Sequence, residues 1–205
     1  MIIKKVVVGE LETNCYIIAD EKTLEAAVID PGANANEILK VIEKNKLIPR
    51  YIINTHGHPD HVRANKELKD HFKIPICIHE KDAPMLGNTH ALMYAFMGYD
   101  VKPASADRLL KDGESIILGS INLKIIHTPG HTKGGISLYN GKVLFSGDTL
   151  FADAVGRTDL PGSSAKDLEK SIKKLFELPS STRVYPGHGP ETSIENEKNN
   201  WRNVL

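Results

Sequence analysis

Short apolar runs alternate with polar breaks along the chain, and the period of the apolar positions shifts between strand-like and helical. Ile2–Val8, Asn14–Ala19 and Glu25–Asp30 are rich in Val and Ile and parted by polar turns, which predicts an antiparallel start. Asn34 with Glu37 has capping-box spacing, and Ile38, Leu39, Ile42 and Leu47 mark one apolar side of a helix of about a dozen residues. A strand at Tyr51–Asn54, a helix from near Val62 to Phe72 and a buried strand at Ile74–His79 follow. Ser115–Leu118 and Ile121–Ile126 flank Gly119-Ser120, while Ile136–Tyr139 and Val143–Phe145 flank Asn140-Gly141, a two-residue hairpin signal. Ser164 opens a helix marked by Leu168, Ile172, Leu175 and Phe176 that stops before Pro179. Val184-Tyr185 reads as a short strand, and Thr192 with Glu195 as the capping box of a last helix.

The two halves echo each other. Val28-Ile29-Asp30, a helix, a strand and then Thr55-His56-Gly57-His58 correspond to Ser146-Gly147-Asp148, a helix, a strand and then Pro186-Gly187-His188-Gly189. Strands gathered into two layers with helices added in each half predict an α/β fold, a four-layer α/β/β/α sandwich with its site at the strand ends.

Composition narrows the picture. At 205 residues, with 40% hydrophobic and 25% charged, the chain is expected to form a single domain over 1–205. Lys plus Arg equal Asp plus Glu at 26 each, so no global positive field favours nucleic acid as a partner. The lysine-interrupted run Met1–Val8 is too short for a signal peptide or a membrane span, and with only Cys15 and Cys77 there is no disulfide framework. A cytoplasmic protein away from the membrane is the expectation. Nothing in the sequence speaks to oligomeric state.

The chemistry concentrates in Thr55-His56-Gly57-His58-Pro59-Asp60-His61, directly after an apolar strand. Residues two apart in an extended segment point the same way, so His56 and His58 can grip one ion. A helix beginning near Pro59 would turn Asp60 and His61 toward a second. His131, Asp148 and His188 arrive in glycine-bearing turns. Imidazole and carboxylate donors suit zinc, with iron(II) or manganese as alternatives. Motifs of other enzyme classes are missing: no G-x-S-x-G elbow, Walker loop, G-x-G-x-x-G, H-E-x-x-H or Cys-x-x-Cys occurs.

His-x-His-x-Asp-His at 56–61, Gly130-His131-Thr132, Gly147-Asp148-Thr149 and Pro186-Gly187-His188-Gly189-Pro190 resemble the metallo-β-lactamase superfamily over essentially the whole chain. Within it the sequence is most similar to the glyoxalase II-like branch, which also carries Gly156-Arg157-Thr158-Asp159. The resemblance implies the four-layer sandwich of that family and two divalent ions. His56, His58 and His131 would bind the first, Asp60, His61 and His188 the second, and Asp148 would bridge them. It implies hydrolysis of a small acyl compound, a thioester of the hydroxyacyl-glutathione type, by metal-bound hydroxide that Asp60 orients. The long enzymes of that branch bind glutathione through a further helical domain, which the short stretch after His188 does not provide. The alternatives are a persulfide dioxygenase with one iron on His56, His131 and Asp148, or a lactonase of the same fold. A nuclease is disfavoured by the balanced charge.

Weaker signals are set against ordinary structural roles. Cys15 and Cys77 alternate with apolar neighbours and read as buried filler, and His71, His79, His90 and His127 lack ligand spacing. Asp30 either orients a ligand imidazole or starts a turn; Arg157 either meets an acidic substrate or braces its loop through Asp153 or Asp159. Residues 84–105 hold Met85, Met93, Met97, Tyr94, Phe96 and Tyr99, which fit either core packing or a pocket wall.

Overall fold

The protein is described here by a computed structural model covering residues 1–96 and 98–201. Two six-stranded mixed sheets form its centre. The first contains β1 (Ile2–Val8), β2 (Thr13–Ala19), β3 (Glu25–Ile29), β4 (Ile48–Ile53), β5 (Ile76–His79) and β6 (Arg108–Leu110), ordered as in sequence. β1, β2 and β3 pair antiparallel, as the strand pattern predicted, and β3 to β6 pair parallel. The second contains β7 (Ser115–Leu118), β8 (Ile121–His127), β9 (Ile136–Tyr139), β10 (Val143–Gly147), β11 (Arg183–Pro186) and β12 (Thr192–Ser193). The echo between halves is a shared crossover: β3 reaches its parallel neighbour β4 through α1 (Ala35–Lys44), and β10 reaches β11 through α5 (Ala165–Phe176).

Alternation within strands builds the layers. Along β2, Tyr16 and Ile18 enter the core between the sheets, where they meet Ile116, Leu123, Leu138 and Phe145 of the second sheet. Cys15, Ile17 and Ala19 face the other way, into a core with Ile38 and Ile42 of α1 and Leu68 of α3 (Asn65–Phe72). β2 is buried on both faces because it is sandwiched between a sheet and a helical layer. Outside the second sheet, Leu144 and Val184 pack with Leu175 of α5 and Ile194 of α6 (Ile194–Asn200). The order is helix, sheet, sheet, helix, the predicted α/β/β/α sandwich. Among the described residues no helix is long and apolar enough to cross a membrane.

Several local expectations need correction. The helix placed over Val62–Phe72 is two pieces, α2 (Pro59–Val62) and α3. The Asn54 amide donates to the His61 carbonyl, and Ala64 N donates to Pro31 O, so the helical ladder is interrupted where those groups are taken. Asn34 does not cap α1 with its side chain; its Oδ1 accepts from Gly9 N instead. The last helix is capped by Ser193, which accepts from Asn196 N, rather than by Thr192, whose hydroxyl donates to Glu197. Ser164 does cap α5, accepting from Asp167 N. The β9–β10 link runs through residues 140–142, with Asn140 Oδ1 accepting from Lys142 N and Val143 N.

The segment 84–105 contains a 3-10 turn at Ala83–Leu86 and α4 (Asn88–Phe96), neither foreseen. Its contents divide: Tyr94 is buried in the core under the first sheet, while Leu92 and Met93 are exposed. Met97 lies outside the described residues.

Candidate metal centre

Five of the seven candidate residues stand in loops that follow a strand, and two open the next helix. His56 and His58 follow β4, His131 follows β8, Asp148 follows β10 and His188 follows β11. Asp60 and His61 sit in the first turn of α2, whose opening Pro59 has the fixed φ suited to a helix start. Parallel crossovers carry β4 and β11 back to the same edge, so loops far apart in sequence converge there.

The seven side chains form three overlapping groups whose ligand atoms lie within 4.8 Å of one another: His56, His58 and His131; His56, His61 and Asp148; Asp60, His61 and His188. His58 Nδ1 is 2.9 Å from His131 Nε2, and His61 Nε2 is 3.3 Å from His188 Nε2. Asp148 lies between, its Oδ2 3.6 Å from His131 Nε2 and its Oδ1 3.4 Å from His61 Nε2. Asp60 Oδ2 faces His188 Nε2 at 3.3 Å and His61 Nε2 at 3.4 Å. Close approach of the His188 loop depends on Gly187: a Cβ there would come within 2.9 Å of His61 Cε1 and collide with Asp148.

The imidazoles are oriented from behind. His131 Nδ1 donates to Arg157 O and His188 Nδ1 donates to Leu11 O, both at 2.9 Å, so in each ring Nε2 turns inward. His56 Nδ1 meets Thr55 Oγ1 at 3.1 Å, and that hydroxyl donates to Asp30 Oδ2 at 2.6 Å. Asp30 also accepts from Thr55 N at 2.7 Å, and its Oδ2 lies 3.1 Å from His61 Nδ1 without the alignment of a hydrogen bond. Asp30 thus reaches His56 through the Thr55 hydroxyl and faces His61 with no aligned hydrogen bond. Arg157 pairs with Asp159 through two 2.7 Å contacts, and its backbone carbonyl is what holds His131.

The site is electrostatically divided. Burial pushes His56 well below the ordinary imidazole value, helped by its imidazole neighbours, and the same causes bring His58 down to about 4. Burial acts likewise on His61, yet the carboxylates of Asp148, Asp60 and Asp30 outweigh it and lift His61 well above its ordinary value. His188 is lifted too, against its burial, by Asp60 and Asp148. Burial would raise Asp60 and Asp148, but the imidazoles beside them, His61 foremost, hold both below the ordinary carboxylate range. One side thus offers neutral imidazole lone pairs, and the other a negative field that draws positive charge.

The residues fit divalent metal. His56 Nε2 and Asp148 Oδ1 are buried without a hydrogen-bond partner, a costly state for atoms that point among other donors unless a cation is their natural partner. The groups contain only nitrogen and oxygen donors, which suit zinc, iron(II) and manganese. Cys15 and Cys77 are fully buried and outside the groups, and His71, His79, His90 and His127 join none of them among the described residues. Sequence reading passed over Asp82, whose carboxylate touches both loops of the first group; a lone Asp in His79-Glu80-Lys81-Asp82 carries no spacing signal.

The chain is similar to several known proteins. The hydroxyacylglutathione hydrolase GloC of Haemophilus influenzae is 36% identical, the match covering 97% of this chain and 95% of that protein. The solved structure of the BLEG-1 B3 metallo-beta-lactamase matches with a TM-score of 0.90 at 35% identity, covering 97% of each chain. TTHA1623, solved in a di-iron-bound form, matches with a TM-score of 0.85 at 35% identity, over 95% of this chain and 96% of that one. The profile of the metallo-beta-lactamase superfamily matches residues 8–188. With its sandwich, its clustered His and Asp and these relatives, the chain belongs to the metallo-beta-lactamase superfamily, among its glyoxalase II-like members.

Proposed function

We propose that the protein is a dinuclear metallohydrolase that cleaves a small acyl thioester of the hydroxyacyl-glutathione type. The observation that carries this reading is the pair of donor groups, His56, His58 and His131 against Asp60, His61 and His188, with Asp148 reaching toward both. The name of the Haemophilus relative supports the thioester, and the di-iron form of TTHA1623 supports two ions.

In this reading His56, His58 and His131 would hold one ion, Asp60, His61 and His188 would hold the other, and Asp148 would serve both. Zinc is our assignment, with iron(II) or manganese as the alternatives. Ions bound there would lower the pKa of water and polarise the carbonyl under attack. The chain supplies the rest. Asp60, kept ionised by His61 and His188 and hydrogen-bonded by Thr13 Oγ1 at 3.2 Å, accepts a hydrogen bond from the attacking water and orients it. The water oxygen bonds to the acyl carbon, the carbon–sulfur bond breaks, one water proton goes to the leaving sulfur and the other is released to solvent, and the products are a carboxylate and a thiol. The tethers from His131 to Arg157 O and from His188 to Leu11 O keep those rings from turning during the cycle.

The test is a metal count followed by anaerobic assay. Purified protein should carry close to two ions per chain and cleave hydroxyacyl-glutathione thioester without oxygen. One iron per chain, oxygen uptake on a persulfide and no thioester cleavage would replace this reading with a dioxygenase. Cleavage confined to a lactone or a β-lactam would keep the hydrolase and discard the thioester.

A further inference from the structure

We propose that Asp82 is a positioning residue that clamps the two loops of the His56, His58 and His131 group together and thereby sets that group's hold on its ion. The proposal rests on the metal reading above.

Asp82 stands in the turn after β5, with its own N–H donating to His79 O at 3.0 Å, and the residue is only 1% exposed. Its Oδ2 accepts from Gly57 N at 3.2 Å and from the Thr132 hydroxyl at 2.6 Å, and its Oδ1 accepts from Gly134 N at 2.6 Å. Gly57 lies between His56 and His58, and Thr132 follows His131 directly. One carboxylate therefore ties a loop of the first sheet to a loop of the second through three donors. The fit is tight, since a Cβ at Gly134 would stand 2.7 Å from Asp82 Oδ1.

The chemistry of the three partners explains a carboxylate here. All are donors, and an ionised Asp offers only acceptors, whereas an Asn would aim its amide N–H at one of them. Burying a carboxylate is expensive, and an apolar anchor would fill the space at less cost to the fold. What the apolar anchor could not do is hold two backbone N–H groups and a hydroxyl in register. The second group is supported by different contacts, Thr13 on Asp60, Asp30 beside His61 and Leu11 O on His188. Asp82 should matter for one ion and not the other.

Zinc affinity of the metal-free chain, measured by competition with a chromophoric chelator, tests this, with cobalt(II) spectra reporting the surroundings of each ion. Wild type is expected to bind two ions. Asp82→Ala should weaken one of them about 10- to 100-fold and leave the other within about threefold. The weakened ion must be the one that His58→Ala removes. Asp82→Asn and Thr132→Val should move the same ion by smaller factors, and they decide the matter if Asp82→Ala does not fold. Equal weakening of both ions, or unchanged binding of both, overturns the role of Asp82 while the metal reading stands. A wild-type chain that binds no zinc, iron or manganese overturns the metal reading and this proposal with it.

Discussion

His58 Nδ1 lies 2.9 Å from His131 Nε2 although 73 positions separate the two residues in the chain. His131 donates its other nitrogen to Arg157 O, which turns its Nε2 toward His58, and the two rings meet edge to face. Burial, helped by the neighbouring imidazoles, brings His58 down to about 4, so at physiological pH this ring is neutral and can offer a lone pair to a cation.

Removal of either side of this arrangement should abolish hydrolysis. His58→Ala and Asp148→Asn are each expected to reduce turnover to less than about a tenth of wild type while thermal unfolding stays cooperative, because they delete polar groups at a strand end and no core volume. Thioester assays alongside melting curves check this. Retention of more than that fraction in both variants would refute the assigned centre.

The thiols should be dispensable. Cys15 and Cys77 are both fully buried; burial lifts Cys15 well above its ordinary value and pushes Cys77 up to about 12, so neither supplies a thiolate near neutral pH. The double variant Cys15→Ala, Cys77→Ala should keep turnover within about twofold of wild type once its folding and metal content match. Lost turnover under those conditions would point to a thiol mechanism.

Tyr94 should contribute stability through a single bond. Its buried hydroxyl donates to Gly57 O at 3.0 Å, fastening α4 to the loop between His56 and His58. Tyr94→Phe leaves that carbonyl without its partner, an expected loss of about 1–3 kcal/mol in denaturant unfolding. An unchanged midpoint would show that the tether carries no energy.

Stability should fall in acid partly through Asp20. The Ser120 hydroxyl first, then the backbone N–H groups of Thr23, Ser120 and Lys22, hold its carboxyl well below the ordinary value, joining the β2–β3 turn to the β7–β8 turn of the other sheet. A folded value below the unfolded one of about 4 favours the folded state above that pH, and the benefit disappears as pH drops toward the folded value. Wild type should therefore melt above Asp20→Asn at pH 7, with the gap closing toward pH 3. A gap that stays constant with pH would exclude this carboxylate as the cause.

The layers and the His and Asp cluster are legible in the order of residues. β2 was legible as a short apolar run, Cys15–Ala19, parted from its neighbours by polar turns, and α5 because Ser164 and the Leu168, Ile172, Leu175 stripe mark its start and its inner face. The seven His and Asp residues were legible because their local spacing and the glycines beside them are dense enough to stand out, and the fold brings all seven into one cluster.

Tertiary structure decided what depends on partners distant in sequence. The break between α2 and α3 comes from Asn54 and Pro31 competing for backbone groups, and no periodicity within Val62–Phe72 contains that information. Asp30 came to stand beside Thr55 and His61 only through the parallel pairing of β3 with β4. Asp82 is silent as a sequence feature for the same reason: its three donors come from two loops that meet only once both sheets are stacked. Local spacing records which atoms can bind an ion, whereas the contacts that orient them are long-range hydrogen bonds, and those exist only in the folded chain.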